Sequence, residues 1–203
     1  MSRITSREQL RERYPPATER ARNKDIGHLD KHCRRFIELS PFVVLSSFHD
    51  SKGADASPRG GRPGFVKVAD AQTLILPDWR GNNRLDTLEN LLDDPAIGLM
   101  FMIPGVDEVL RINGRAELRS DESYRALCRE GDRLPGLVIL VQVREAYLHC
   151  AKAIMRASLW EDKARIDRNT LPSAGQILKE QMQLDIEPES REAMTERYRK
   201  SLY

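Results

Sequence analysis

Residues 77–92, PDWRGNNRLDTLENLL, break a run of strand-like segments with one short amphipathic helix. Whether such helices recur after every strand decides between a parallel α/β sheet and an antiparallel one. Leu85, Leu88, Leu91 and Leu92 recur at helical spacing, Asn82 or Asn83 is the expected N-cap, and Asp93-Asp94-Pro95 ends the segment, giving a helix over 84–92. Around it, PFVVLSSF (41–48), FVKVAD (65–70), TLILP (73–77), AIGLMFMI (96–103), EVLRINGRAEL (108–118) and GLVILVQVREAYLHC (136–150) are short, β-branched or apolar, and bounded by turn signals such as SKG, RGGRPG and DAQ. DASPR (55–59), between SKG and RGG, extends the second strand. Only one further helical stretch, Asp121 to Arg129, interrupts the strands. Strands and helices therefore do not alternate, and a mainly β antiparallel barrel with peripheral helices (α+β) fits the order.

The flanks read differently. The first 25 residues are charged and helix-prone, broken by Tyr14-Pro15-Pro16, and form a peripheral arm over 1–27. LDKHCRRFIEL (29–39) is an amphipathic helix with Leu29, Cys33, Phe36 and Ile37 on one face, ended by Ser40-Pro41. The barrel domain spans 28–160. A C-terminal helical extension follows over 161–203, with Leu171-Pro172-Ser173 capping AGQILKEQM, whose Ala174, Ile177, Leu178 and Met182 make an apolar face.

Composition limits the partners. In 203 residues, 33 Lys+Arg stand against 31 Asp+Glu, so bulk charge argues for neither nucleic acid nor an anionic membrane. Cys33, Cys128 and Cys150 lie far apart without C-x-x-C spacing, which indicates neither a disulfide framework nor a zinc site and fits a reducing compartment. The N-terminus has no apolar signal core, and the longest apolar run, Leu137 to Val141, is too short for a bilayer. A cytoplasmic protein is expected.

Any anion site must then be local. Arg80, Gly81, Asn82, Asn83 and Arg84 supply guanidinium forks, amide donors and backbone N–H groups at the positive end of a helix, the means of holding a phosphate. The alternative is a capped surface helix whose arginines pair with Asp78 and Asp86. DASPRGGRPG (55–64) brings Ser57 and Arg59 to the end of a strand, before glycines that permit close backbone approach; alone it also reads as an ordinary hairpin loop. Two arginine-bearing loops can converge on one end of a barrel. In HCAKAIMRASLW (149–160), Lys152 and Arg156 are four apart on a helical turn followed by Trp160, either a wall of that site or a solvated basic face. His28, His32 and Cys33 lie within helical reach, but no third ligand fits a metal, so none is expected. His149 and Cys150 point to opposite faces of a strand and form no catalytic pair. No catalytic side chain is assigned.

With SPRG after a strand, LPDWRGNNRLDTLENLL after another, LRINGRAEL and a late HCAKAIMRASLW, the chain resembles the pyridoxamine 5′-phosphate oxidase-like, FMN-binding split-barrel flavoproteins, most closely their uncharacterised FMN-dependent branch. The resemblance covers roughly residues 28–184. It implies a six-stranded antiparallel Greek-key split barrel that dimerises, with two flavin mononucleotide (FMN) molecules in clefts at the subunit interface. Carried over by motif, Arg84 and the amides of Asn82 and Asn83 hold the FMN phosphate, and Ser57 and Arg59 flank its phosphate and ribityl side. Arg80 joins them or pairs with Asp78 at the rim. The second subunit brings Lys152, Arg156 or Trp160 to the flavin, Trp160 as an apolar cover. The C-terminal Arg-x-His segment that recognises pyridoxal phosphate in true oxidases is missing, so vitamin B6 oxidation is not implied and the substrate stays open. An FMN-dependent oxidoreductase is the leading reading. The rivals are a flavin-binding or flavin-sequestering stress or regulatory module without turnover, and an adaptor whose arginines bind phosphorylated partners.

Overall fold

A computed structural model of the chain describes residues 3–202. They form two compact units, one ending at Met155 and one beginning at Arg156. The first unit opens with two short helices, α1 (Arg7–Arg11) and α2 (Glu19–Arg22), neither burying a residue, and then α3 (Lys31–Leu39). Asp30 caps α3 by accepting from the backbone N–H groups of His32 and Cys33, at 3.0 and 2.8 Å. The face anticipated from spacing is the buried one: Leu29, Cys33 and Ile37 enter the core with Phe36 packed against it.

Seven strands follow, not six: β1 (Phe42–His49), β2 (Gly53–Gly60), β3 (Lys67–Val68), β4 (Thr73–Asp78), β5 (Ala96–Met102), β6 (Val109–Arg119) and β7 (Leu137–His149). The count differs because DASPR is not an extension of its neighbour but lies in a strand of its own, paired with β1 along its whole length from Phe42 opposite Gly60 to His49 opposite Gly53. All pairings are antiparallel, and the order is β2-β1-β5-β6-β7-β4-β3. The hydrogen-bond ladder does not close, leaving β2 and β3 as its ends. Yet Arg59 on β2 lies 3.8 Å from Asp78 on β4, five places along that order. The sheet therefore curls until its two end regions meet side chain to side chain.

Strand alternation builds the interior. Val43 and Leu45 of β1, Ile97, Leu99 and Phe101 of β5, and Leu110 and Ile112 of β6 are buried in one cluster with the α3 face. Burying each such side chain contributes roughly 1.5–3 kcal/mol. β4 is buried on both sides because its other face carries Ile75, which packs with Val138, Cys128 and Tyr124 beneath α5 (Glu122–Leu127). On β7, Glu145 opposes Asn113 while Val143 opposes Gly114, so Arg144 is an extra, bulged residue.

α4 (Asp86–Asp93) joins β4 to β5 and differs from expectation. Leu88 and Leu91 are buried, but Leu85 and Leu92 are 48% and 72% exposed; the polar Thr87 and Asn90 take the remaining inward positions. The reason is the surface that α4 meets. Ser47 of β1 accepts from Asn90 Nδ2 at 3.0 Å, and Asp55 of β2 accepts from Thr87 Oγ1 at 3.0 Å.

The second unit contains the end of α6 (Lys152–Ala157), α7 (Ala174–Met182) and α8 (Arg191–Ser201), with 3-10 turns at 162–164 and 168–170. Ser173 caps α7 as anticipated, accepting from Gln176 N. The charged tail forms α8, tied back by Arg197 to Glu189 at 2.7 Å. No described residue of this unit is buried.

Asn90→Leu should destabilise the protein by roughly 1–3 kcal/mol, because it leaves the buried Ser47 hydroxyl without its partner. Urea denaturation checks this, and an unchanged midpoint would mean that the bond is not what seats α4.

Candidate functional site

β2 carries the first part of the site. Asp55, Ser57 and Arg59 share one face of the strand and are half-buried, alternating with exposed Ala54, Ala56, Pro58 and Gly60. Arg59 donates to Ser57 Oγ and, at 3.0 Å, to the Pro58 carbonyl, while its other terminal nitrogen faces Asp78. Ser57 thus accepts from Arg59 and keeps its own hydroxyl proton for another acceptor. Burial pushes the Asp78 carboxyl above its ordinary range, against the opposing pull of Arg59.

The loop 79–85 is the second part, and it is pinned to β2 at both ends. Asp78, just before it, is held by Arg59. Just after it, Thr87 donates to Asp55, and Asp86 lies 3.7 Å from Lys52, which precedes β2. The loop is therefore stretched along the strand face that bears Ser57. Within it, Asn82 Oδ1 accepts from Arg84 N at 3.0 Å and Asn83 adopts a left-handed φ of 60°. These asparagines shape the turn instead of capping the helix. The N-cap position belongs to Leu85, and no side chain caps the first turn of α4. Its leading N–H groups remain available to an acceptor.

The charges in this region balance. Arg84 is ion-paired with Asp86, which lowers the pKa of Asp86 and raises that of the guanidinium. That pairing was one of the alternatives open in the sequence. Asp78, by contrast, is partnered by Arg59 and not by Arg80. Lys52, Arg59, Arg80 and Arg84 stand against Asp55, Asp78, Asp86 and, in the first turn of α4, Glu89, so no formal charge is left over. Arg84 is 79% exposed and can turn from Asp86 toward a stronger anion at little cost. The donor set suits a phosphate: three guanidinium groups, a hydroxyl proton and an uncapped helix end.

Ser57 and Arg59 thus lie on β2, and Arg80, Asn82, Asn83 and Arg84 lie on the loop whose two ends are fastened to that strand. Lys152 is placed differently. It lines a cavity of about 1180 Å³ that none of those six lines, walled by the segment 18–26, α3 and the end of β7. Arg156 and Trp160 lie in the second unit. Asp55 and Thr87 were missed from sequence, although Asp55 stands two residues from Ser57 in the same alternation and could have been found by it. Of the histidine and cysteine candidates, Cys33 is a core residue whose thiol is pushed up to about 11 by burial, and Cys128 likewise. Among the described residues no three His, Cys, Asp or Glu side chains gather as metal ligands, and no helix is long and apolar enough to cross a membrane.

Comparison with known proteins sets this arrangement in context. The profile of the family described as pyridoxamine 5′-phosphate oxidase matches residues 29–150, from the core residue Leu29 to the end of the sheet. No curated protein matches the chain. Among solved structures, a histidine-to-alanine variant of HupZ from Group A Streptococcus is 14% identical with a TM-score of 0.50, the likeness covering 60% of this chain and 99% of that one. A Lactobacillus delbrueckii protein provisionally named pyridoxamine 5′-phosphate oxidase is 16% identical, with a TM-score of 0.48 and coverage of 61% and 98%. An FMN-binding protein from Syntrophomonas wolfei is 10% identical, with a TM-score of 0.46 and coverage of 58% and 83%. At such identity the likeness to HupZ is one of fold alone.

Replacing Arg59 by Met should move the titration of Asp78 further upward, since the cation that opposes the effect of burial is gone. A carboxyl raised in the folded state binds more protons there than in the unfolded chain. Stability therefore falls as pH rises from the ordinary carboxyl range through the folded pKa, and in the variant this fall should extend to higher pH. Carboxyl-carbon NMR of Asp78 reads the shift; a downward or absent shift would remove Arg59 as its partner.

Proposed function

This chain belongs to the pyridoxamine 5′-phosphate oxidase family, and from that premise we propose that it is an FMN-dependent oxidoreductase whose flavin phosphate sits on the loop 79–85. The observation that carries the reading is the pinning of that loop, which bears Arg80, Asn82 and Arg84, at both ends to the strand that bears Ser57 and Arg59, ahead of a helix without a side-chain cap. A phosphate dianion there is met by Arg84 and Arg80 from the loop, by the Ser57 hydroxyl, and by the first N–H groups of α4. Arg59, held by Asp78, faces the phosphate and ribityl side with its orientation fixed. The chemistry a bound FMN supplies is hydride or single-electron transfer at its ring. This chain's residues bind and orient; none is needed as an acid or base.

We further propose a homodimer in the reducing cytoplasm, with a flavin cleft at each end of the interface. The outward row of the sheet supports the dimer. Phe42 and Val44 of β1 stand opposite Met102 and Met100 of β5 and Gly60 and Pro58 of β2, making a face of apolar and small residues on which Phe48 is 43% and Met100 39% exposed. The second copy would then supply Lys152, Arg156 or Trp160 to the ring. The free thiols Cys33, Cys128 and Cys150 fit a reducing compartment.

Arg84→Ala should weaken FMN binding roughly 10–100-fold, the loss of one charge-assisted contact, while leaving binding of riboflavin, which lacks the phosphate, unchanged. Visible absorbance and flavin fluorescence titrations separate the two ligands. Equal losses for both, or no FMN binding by the unaltered protein, would remove the phosphate seat. Met100→Glu should convert the dimer to a monomer in sedimentation velocity and release flavin; a dimer that survives it would place the interface elsewhere.

A further inference from the structure

Apart from Lys152, one of the residues that the flavin reading offers to the ring of a second copy, the lining of the cavity between α3 and the end of β7 plays no part in that reading. Its body is apolar: Phe36 and Leu39 from α3, Ile103 after β5, Leu110 from β6 and Leu148 from β7. Leu39 and Leu148 are 41% and 49% exposed, so the apolar surface is reachable from outside. Four cations, Arg20, Lys24, Arg35 and Lys152, line the same cavity against two carboxylates, Asp30 and Glu108. Asp30 is already engaged, accepting the two backbone N–H groups that cap α3. Arg35 is paired with Glu38 at 3.2 Å and Lys24 lies over the Tyr147 ring at 4.3 Å. Arg20 and Lys152 have no ion pair among the described residues. A wall of this kind, apolar within and net positive at exposed positions, matches a molecule with an apolar body and one anionic head.

The wall contributed by the N-terminal segment is held in place by the barrel. Ile26 N donates to the Ala146 carbonyl at 3.3 Å, Ala146 N donates to Asp25 Oδ1 at 3.0 Å, and Lys24 Nζ donates to the Leu148 carbonyl at 3.5 Å. These contacts fall on β7 beyond Gln142, where its pairing with β4 has ended, and next to the bulge at Arg144. The arm thereby becomes a side of the cavity and carries two of its four cations.

We propose that this cavity is a binding site for an amphipathic organic acid, a carboxylate on an aliphatic or aromatic body, distinct from the phosphate seat on the loop 79–85. The body lies against Phe36, Leu39, Leu110 and Leu148, and the carboxylate meets Arg20 on the arm. Charge selects the acid over the corresponding alcohol, and the apolar wall selects a long body over acetate.

The test uses the full-length protein without added flavin, and the probe is 1-anilinonaphthalene-8-sulfonate, an aromatic body with one anionic head. Its fluorescence should rise on binding and be reversed by decanoate at concentrations about tenfold lower than decanol requires, reflecting one charge-assisted contact. Arg20→Glu, on a helix that buries no residue, should cut the affinity for decanoate about tenfold and leave decanol unaffected. Leu39→Glu, at a partly exposed wall position, should abolish the signal with the thermal midpoint retained. The proposal is overturned if decanol competes as well as decanoate, if both variants leave the signal unchanged, or if FMN displaces the probe as effectively as decanoate does. That last outcome would make the cavity a flavin site and would count against the phosphate seat as well; weak FMN binding at the loop with decanoate binding intact would count against the flavin reading alone.

Discussion

The ion pair between Arg59 and Asp78 joins two strands that the sheet order keeps five places apart. An open antiparallel sheet of seven strands has two edges with unpaired backbone groups, and twist carries those edges toward each other. Here backbone hydrogen bonds do not complete the circuit, and side chains span the gap. Both partners are about three-quarters shielded from solvent, 27% and 21% exposed, so the pair is held more tightly than a surface bridge. Burial raises the Asp78 carboxyl even so, and the guanidinium opposes that effect. The charge state of Asp78 therefore bears on how the two end regions of the sheet are held together.

Everything proposed for the phosphate follows from the meeting of those two regions. The loop 79–85 leaves β4 at Asp78 and enters α4 at Asp86, and both ends are fastened to β2, by Arg59 at one and by Asp55 and Lys52 at the other. A loop fixed at both ends has lost much of its conformational entropy before any ligand arrives, which lowers the cost of binding. α4 is likewise fixed by two polar contacts, a buried one to Ser47 and a partly buried one to Asp55. Buried polar contacts of this kind set where a helix sits more sharply than apolar packing does, because an unmade hydrogen bond is costly.

The two units differ in how they are stabilised. The first has a contiguous core from Leu29 to Ala146. The second holds α7 and α8 through caps and ion pairs, Ser173 to Gln176 and Glu189 to Arg197, and buries none of its described residues. Leu178 and Met182, on the anticipated apolar face of α7, are 52% and 61% exposed. The amphipathic pattern was legible there; what it packs against was not.

Alternation and helical spacing are local properties, and they settled the local questions. The mainly β antiparallel class, the α3 face of Leu29, Cys33 and Ile37, the Ser173 cap and the helices at 86–93 and 122–127 could all be read from residues within a few positions of one another. The motif-borne resemblance settled the family. What the sequence could not determine depended on long-range register. That DASPR is a strand in its own right follows from its pairing with β1; that Asn82 shapes a turn and leaves the helix uncapped follows from where β2 pins the loop. Asp78 chooses Arg59, 19 residues earlier in the chain, over nearby Arg80 because the curled sheet delivers β2 to β4, and no spacing rule carries that information. Local sequence fixes which groups a segment offers, whereas only the curled path of the sheet decides which of them meet.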